Sequence, residues 1–256
     1  MNIKQMTISQ LAGYLESKEE LSPREVALLK ADGRLGAAAL LERFNRRKKR
    51  AAAEENRLYK MLAEERTLWE QGFSAVAGTD EAGRGPLAGP VLAAAVILEP
   101  EAASITGLND SKMLSREARE RLFDQIVVTA RCYAIASATC QEIDRLNIHA
   151  ASLLAMRRAL EKLALKPDFV LVDGFKIRDC LFRQKAITGG DGLSLSIAAA
   201  SVLAKVARDK IMAEMHEKYP CYGFNRNKGY ATFDHFEAIA RHGPCPEHRR
   251  SFRLGE

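Results

Sequence analysis

The chain has 256 residues, with 39 Lys and Arg against 33 Asp and Glu, a net charge of +6, and 47% hydrophobic residues. That is the composition of a globular protein with length for one or two domains and a sizeable core. It excludes an integral membrane protein, because no run approaches the roughly 18 apolar residues of a span. No secretory leader is expected. The five cysteines include no Cys-x-x-Cys pair, so a disulfide framework is not expected and a reducing cytoplasm fits best. Cys221, His235, His242, Cys245 and His248 fall close together, but their spacing matches no zinc finger or ribbon. Buried or incidental cysteines are the simpler reading. The positive surplus is compatible with nucleic acid without establishing it.

Residues 1–72 read as a helical extension. Thr7 and Ser22 each precede a helical pattern, and Ser22-Pro23-Arg24-Glu25 is a start signal with proline at the first helical position. After Gly33 and Gly36 a long helix is expected over 37–70, carrying the five consecutive cations Arg46, Arg47, Lys48, Lys49 and Arg50. Such a run is either a solvated helix face or an arm that contacts phosphates. The first 70 residues hold 14 Lys and Arg against 11 Asp and Glu, half the surplus.

From Ala75 the texture alternates between strand and helix, which implies an α/β domain over 73–256 with a sheet flanked by helices. Strands are expected at 75–79, 91–98, 133–138, 169–172 and 185–188. The second, VLAAAVIL, ends before Glu99-Pro100 and is uniformly apolar, as a strand covered on both faces is. Helices are expected over 115–129 with Ser115 as cap, over 147–165 with Asn147 as cap, over 194–218, and over 233–241.

Ligands gather at the carboxyl ends of strands in such sheets, and two strands end in acid, at Asp80-Glu81 and at Asp173. Asp191 follows a third strand, inside Gly189-Gly190-Asp191-Gly192. Alone, Asp191 is explained as acid near a helix start, and Asp173 as part of an Asp-Gly turn. Together they suggest carboxylates that share a site, which requires a neutralising cation. Mg²⁺ or Mn²⁺ prefers such oxygen ligands, and two ions can serve phosphodiester hydrolysis. The segment Gly83-Arg84-Gly85, directly after the acidic pair, is a loop open to close backbone approach by a sugar, with Arg84 near phosphate. Asp80 and Glu81 both point at a metal only if the strand ends there, because strand residues alternate in direction.

These blocks resemble the type 2 ribonucleases H, specifically bacterial ribonuclease HII, over roughly residues 75–252. The resemblance rests on Asp80-Glu81-Ala82-Gly83-Arg84-Gly85-Pro86-Leu87-Ala88-Gly89-Pro90, Asn109-Asp110-Ser111-Lys112 and Val172-Asp173-Gly174. It continues through Asp191, Ile197–Val206, Asn227-Lys228-Gly229-Tyr230 and His248-Arg249-Arg250-Ser251-Phe252. It implies an RNase H-like fold, a central mixed sheet flanked by helices, and a divalent-metal endonuclease. Such an enzyme cuts the RNA strand of RNA–DNA hybrids and nicks at single ribonucleotides in duplex DNA, leaving 5′-phosphate and 3′-hydroxyl ends. By the resemblance, Asp80, Glu81, Asp173 and Asp191 are the catalytic and metal-binding acids. Gly83, Arg84 and Gly85 sense the 2′-hydroxyl largely through backbone groups, Tyr230 senses substrate, and Ser111 and Lys112 bind phosphate. Gly189 stands where the family commonly has lysine, which removes support for a lysine–phosphate contact there.

Lys205 and Arg208, one helical turn apart, are either phosphate contacts or solvated charges. Lys228, beside Tyr222, Phe224 and Tyr230, suits phosphate next to sugar or base. A monomer acting on nucleic acid, with no membrane partner, is the expectation. The alternatives are a ribonuclease HIII-like hybrid nuclease, whose extension is expected to be strand-rich, and a non-catalytic nucleic-acid-binding module, which gains nothing from clustered acids.

Overall fold

The computed structural model describes residues 3–99 and 105–255, so Pro100 lies outside the described residues. Packing divides the chain between Arg57 and Leu58 into two compact units.

The first unit is helical. Helix α1 (Ile8–Glu16) starts with a capping box in which Gln10 N donates to Thr7 Oγ1 at 3.2 Å and Thr7 N donates to Gln10 Oε1 at 2.9 Å. Helix α2 (Pro23–Lys30) repeats that reciprocal cap between Ser22 and Glu25, with Pro23 in the first turn. Helix α3 (Leu35–Met61) contributes Ala37, Leu41 and Phe44 to a small core with Leu11, Leu15 and Leu29. The expected single helix to residue 70 is broken at Leu62, after which α4 (Ala63–Glu70) follows. Leu58, Met61 and Leu62 belong to the core of the second unit, so the helical stretch serves two cores in succession.

The second unit is built on a five-stranded mixed sheet of order β3-β2-β1-β4-β5. Its strands are β1 (Val76–Ala82), β2 (Val91–Ile97), β3 (Cys132–Ala138), β4 (Phe169–Asp173) and β5 (Gln184–Ile187). The first three are antiparallel neighbours, while β4 and β5 run parallel to β1. Helix α5 (Arg116–Thr129), capped by Ser115, joins β2 to β3. Then come α6 (Cys140–Leu146), α7 (Ile148–Lys162), α8 (Leu195–Lys218), the short α9 (Phe224–Asn227) and α10 (Phe233–His242). Helix α6 is absent from the sequence reading, although Thr139 and Glu142 form its capping box.

Every residue of β2 is buried because both its faces are covered. Ala94 and Val96 pack with α5 and α8, and Val91, Ala93, Ala95 and Ile97 pack with α7. Helix α8 touches the backbone of β1 itself. A Cβ on Gly78 would lie 2.2 Å from the main chain of Ser196, so only glycine admits the helix this close.

The start of α8 is tied to α4 by Glu65, which is fully buried. Its Oε1 accepts from Ser194 Oγ at 2.5 Å, Ser196 N at 2.9 Å and Ser196 Oγ at 2.6 Å. Glu65→Ala removes the shared acceptor of these three buried donors, and urea unfolding should show a loss of about 2–4 kcal/mol. A change within about 0.5 kcal/mol would mean that the serines find other acceptors.

Candidate active site

The parallel ladder between β1 and β4 runs from Val76↔Phe169 to Thr79↔Val172, so Asp80 and Asp173 are the next residue on each strand. Strand β1 itself continues to Ala82, paired with β2 at Ala82↔Leu92. The condition that the strand ends at Asp80 is therefore not met. Alternation along β1 places Asp80 on the α8 face and Glu81 on the other. Asp191 lies in a single 3₁₀ turn, Gly190–Gly192, immediately before α8. That turn is pulled onto β4 by a 2.7 Å hydrogen bond from Gly190 N to Asp173 Oδ1. A Cβ on Gly190 would meet Ile197 Cδ1 at 2.6 Å and Asp173 Oδ1 at 3.3 Å, so glycine allows the two acids to adjoin.

Asp80 is 4% exposed. Burial, then the charge of Glu81, then that of Asp173 push its carboxyl well above the usual carboxylate range, against hydrogen bonds from Ser201 and the Glu81 amide. Burial also raises Glu81; the Arg84 cation opposes this and the Asp173 charge adds to it. Burial and the Asp191 charge raise Asp173 against the Gly190 amide. Two cations partly offset this concentration of charge. Lys112 Nζ sits 3.2 Å from Asp191 Oδ2, and Arg84 Nη1 sits 3.3 Å from Glu81 Oε1. For Lys112 burial works against the ammonium, but Asp191, Asp110 and Asp80 carry its pKa upward. Ser111 is buried, with its hydroxyl 2.9 Å from Ser201 Oγ, and Ser201 in turn bonds Asp80. Ser111 thus touches the acids through one intermediary. Among the described residues, no three His, Cys, Asp or Glu side chains form a ready metal cage.

Beyond β1 the chain turns through Gly83, at φ +98°, into the loop containing Arg84 and Gly85. Tyr230 stands across from it, 44% exposed, and a Cβ on Gly85 would approach its ring to an ordinary 3.7 Å. Leu87 N donates to Gly229 O at 2.7 Å, joining the Tyr230 loop to the glycine loop.

The sequence reading of Arg208 needs correction. It is fully buried, with Nε donating to Pro90 O at 3.2 Å and Nη2 donating to Ala88 O at 3.2 Å and Lys228 O at 3.1 Å. It is neither solvated nor placed to touch a phosphate, because its bonds run to the main chain inside the protein. Lys205 pairs with Asp209 at 2.7 Å. Lys228 adopts φ +51°, and burial lowers its pKa although Asp209 opposes the shift. In the first unit, Arg47 donates to the carbonyls of Leu15, Glu16 and Lys18, closing the end of α1, and Lys48 pairs with Glu20 at 2.8 Å. Arg46, Lys49 and Arg50 have no such partner among the described residues. The five cations are therefore not equivalent.

Sequence reasoning weighed His235 only as a zinc ligand and gave Arg249 no role beyond the resemblance; both are fully buried beside the glycine loop. A lone buried cation carries no local signal. His235 and His248 face each other with Nε2 atoms 3.1 Å apart, and His235 Nδ1 lies 2.8 Å from Tyr230 O.

Because the Asp80 carboxyl is raised on folding, it stabilises the fold only while protonated, and that stability is lost as pH rises through its folded value. In chelator, Asp80→Asn should melt higher than the parent chain near pH 8. The gain should be about 1.4 kcal/mol for each unit of elevation, shrinking to nothing as pH falls toward the ordinary carboxylate range near 4. Melting curves that stay parallel across that range would contradict the assignment of buried charge.

The ribonuclease HII family model matches residues 77–254, and the model of the ribonuclease HII N-terminal domain matches residues 7–69. A ribonuclease HII from Pelotomaculum thermopropionicum is 49% identical over 249 residues, 97% of this chain and 94% of that protein. Among solved structures, the ribonuclease H2 of Pyrococcus horikoshii superposes with a TM-score of 0.62 at 27% identity, over 71% of this chain and 95% of that one. Bst-RNase HIII in complex with Mn²⁺ gives a TM-score of 0.59 at 22% identity, over 70% and 67% of the two chains, a likeness of fold. The chain belongs to the ribonuclease HII family and is an RNase H-type endonuclease.

Proposed function

We propose that Asp80, Asp173 and Asp191 hold divalent metal, Mg²⁺ or Mn²⁺, for phosphodiester hydrolysis at ribonucleotides in hybrids and in duplex DNA, while Glu81, on the other face of the strand, serves the site through its charge. The observation that carries this reading is the meeting of Asp80, Asp173 and Asp191 at the end of the parallel ladder, where burial and mutual charge raise Asp80 and Asp173. The donor set fits a hard cation, since it offers carboxylate oxygen alone and is left with more negative charge than Lys112 and Arg84 offset. The Mn²⁺ bound by the HIII enzyme of the same fold supports this choice. Bound there, a divalent cation supplies an activated water and stabilises the leaving 3′-oxygen.

The chain's own residues do the rest. Asp173 would hold the cation with its carboxylate fixed by the Gly190 amide, and Asp191 is held beside it by the same turn. Lys112 has a side chain 78% exposed, so its ammonium is free to leave Asp191 for a substrate phosphate. The Gly83–Gly85 loop reads the 2′-hydroxyl from its backbone, with Tyr230 against the sugar and Lys228 and Lys205 along the phosphates. Ser111 acts by orienting Asp80 through Ser201. Arg46, Lys49 and Arg50 add non-specific contacts to duplex. All five cysteines are unpaired, in keeping with a reducing cytoplasm.

The test is a DNA duplex with one ribonucleotide, beside an all-DNA duplex and an all-RNA hybrid strand, each with Mg²⁺, Mn²⁺ or chelator. Cutting should need both metal and ribonucleotide, and Asp173→Asn should lose more than about 100-fold in turnover while still binding the duplex. Metal-independent cutting, or near-parental turnover in that variant, would overturn the reading.

For the arm, replacing Arg46, Lys49 and Arg50 with alanine should flatten the slope of log K against log salt by about 2 to 3. An unchanged slope would leave these cations without a phosphate role.

A further inference from the structure

Arg249 is fully buried, and among the described residues its guanidinium hydrogen bonds run to main-chain oxygens. Nε donates to Gly89 O at 3.0 Å, Nη1 to Arg84 O at 2.8 Å, and Nη2 to Gly83 O at 2.5 Å and Gly89 O at 2.8 Å. Arg208 lies on the other side of the same loop, and a Cβ on Gly83 would meet its Nε at 2.1 Å. Neither arginine forms an ion pair among the described residues. Burial and the neighbouring Arg208 lower Arg249 to about 10. Two cations without a carboxylate are costly in an interior, so the geometry they impose must matter.

That geometry follows from the planar trans peptide, in which C=O and N–H point in opposite directions. Arg249 draws the carbonyls of Gly83 and Arg84 inward. The N–H groups of the same two peptide units, those of Arg84 and Gly85, are thereby turned away from it. Neither amide donates to any group among the described residues. The segment that carries Arg249 also holds the facing loop: Arg249 N donates to Leu87 O at 2.8 Å, and His248 reaches Tyr230 O through His235. We propose that Arg249, seconded by Arg208, is a positioning residue that aims the Arg84 and Gly85 amides at the sugar hydroxyl and so sets the discrimination of ribonucleotide from deoxyribonucleotide. This rests on the reading of the glycine loop as the ribose sensor.

Arg249→Lys keeps the charge but not the planar fork, so a single ammonium cannot span the carbonyls of Gly83, Arg84 and Gly89. With folding verified by melting and circular dichroism, the variant should raise KM for the single-ribonucleotide duplex by at least about 10-fold, as expected for misplaced contacts. Its kcat should stay within about 3-fold and its affinity for all-DNA duplex within about 2-fold, since charge and metal site are intact. Activity that falls only with the folded fraction at unchanged KM overturns the proposal. So does an equal weakening toward both duplexes. If Arg249→Lys does not fold, Arg208→Lys takes its place with the same expected split, and its absence is equally decisive. Gly85→Ala, which has space and no positive φ to strain it, tests the underlying reading. If it lowers discrimination while the arginine variants do not, the positioning role is wrong and the ribose-sensing loop stands. If neither lowers it, both fall.

Discussion

The structure depends on one close approach, that of α8 to the backbone of β1. At Gly78 there is no room for a side chain, so the helix axis is fixed against the strand to within a fraction of an ångström. From that point α8, 24 residues or roughly 36 Å long, runs under the following segment in register. Ser201 meets Asp80, Arg208 meets Gly83, and Met212 meets Gly89. A methyl group at Gly78 would lift the helix backbone, while at Gly83 and Gly89 it would press on the side chains of Arg208 and Met212 and strain a positive φ. The run Ile197-Ala198-Ala199-Ala200 follows the same logic, since small residues let a helix lie against a sheet that is itself largely alanine.

The site stores electrostatic strain in a particular order. The most buried acid, Asp80, has no cation of its own, while the more accessible Glu81 and Asp191 have Arg84 and Lys112. On the proposed reading, the deepest charge is the one left for a cation, and the shallower ones are paired with Arg84 and Lys112. Glu65 is a buried acid of another kind, with burial raising its pKa while one of its oxygens accepts from three donors at the start of α8.

Much of this was legible in the sequence because its causes are local. Ser115 and Asn147 cap the helices they were expected to cap, and the all-apolar VLAAAVI is a strand with both faces covered. The acids were read from their places at strand ends and beside glycines, which are also local features. What escaped is non-local. Arg208 sits one turn from Lys205, and helix periodicity cannot say that one faces solvent and the other faces carbonyls 118 and 120 residues earlier. The continuation of β1 past Asp80 depends on pairing with β2, which the residues of β1 alone do not announce. Leu62 breaks the long helix without glycine or proline, as the chain passes from one core to the next. Helix α6 is different, for its Thr139 to Glu142 box was readable and is simply short.

The bonds from Arg249 back to Gly83 and Gly89 span 166 and 160 residues, among the most distant in sequence that the fold contains. During synthesis the whole sheet, whose last strand ends at Ile187, and α8, which ends at Lys218, are made before residue 249. The carbonyls of Gly83, Arg84 and Gly89 lack these donors until the guanidinium is made. If the glycine loop is the ribose sensor proposed above, a prematurely released chain carries all the acids while that loop still lacks the guanidinium that holds it.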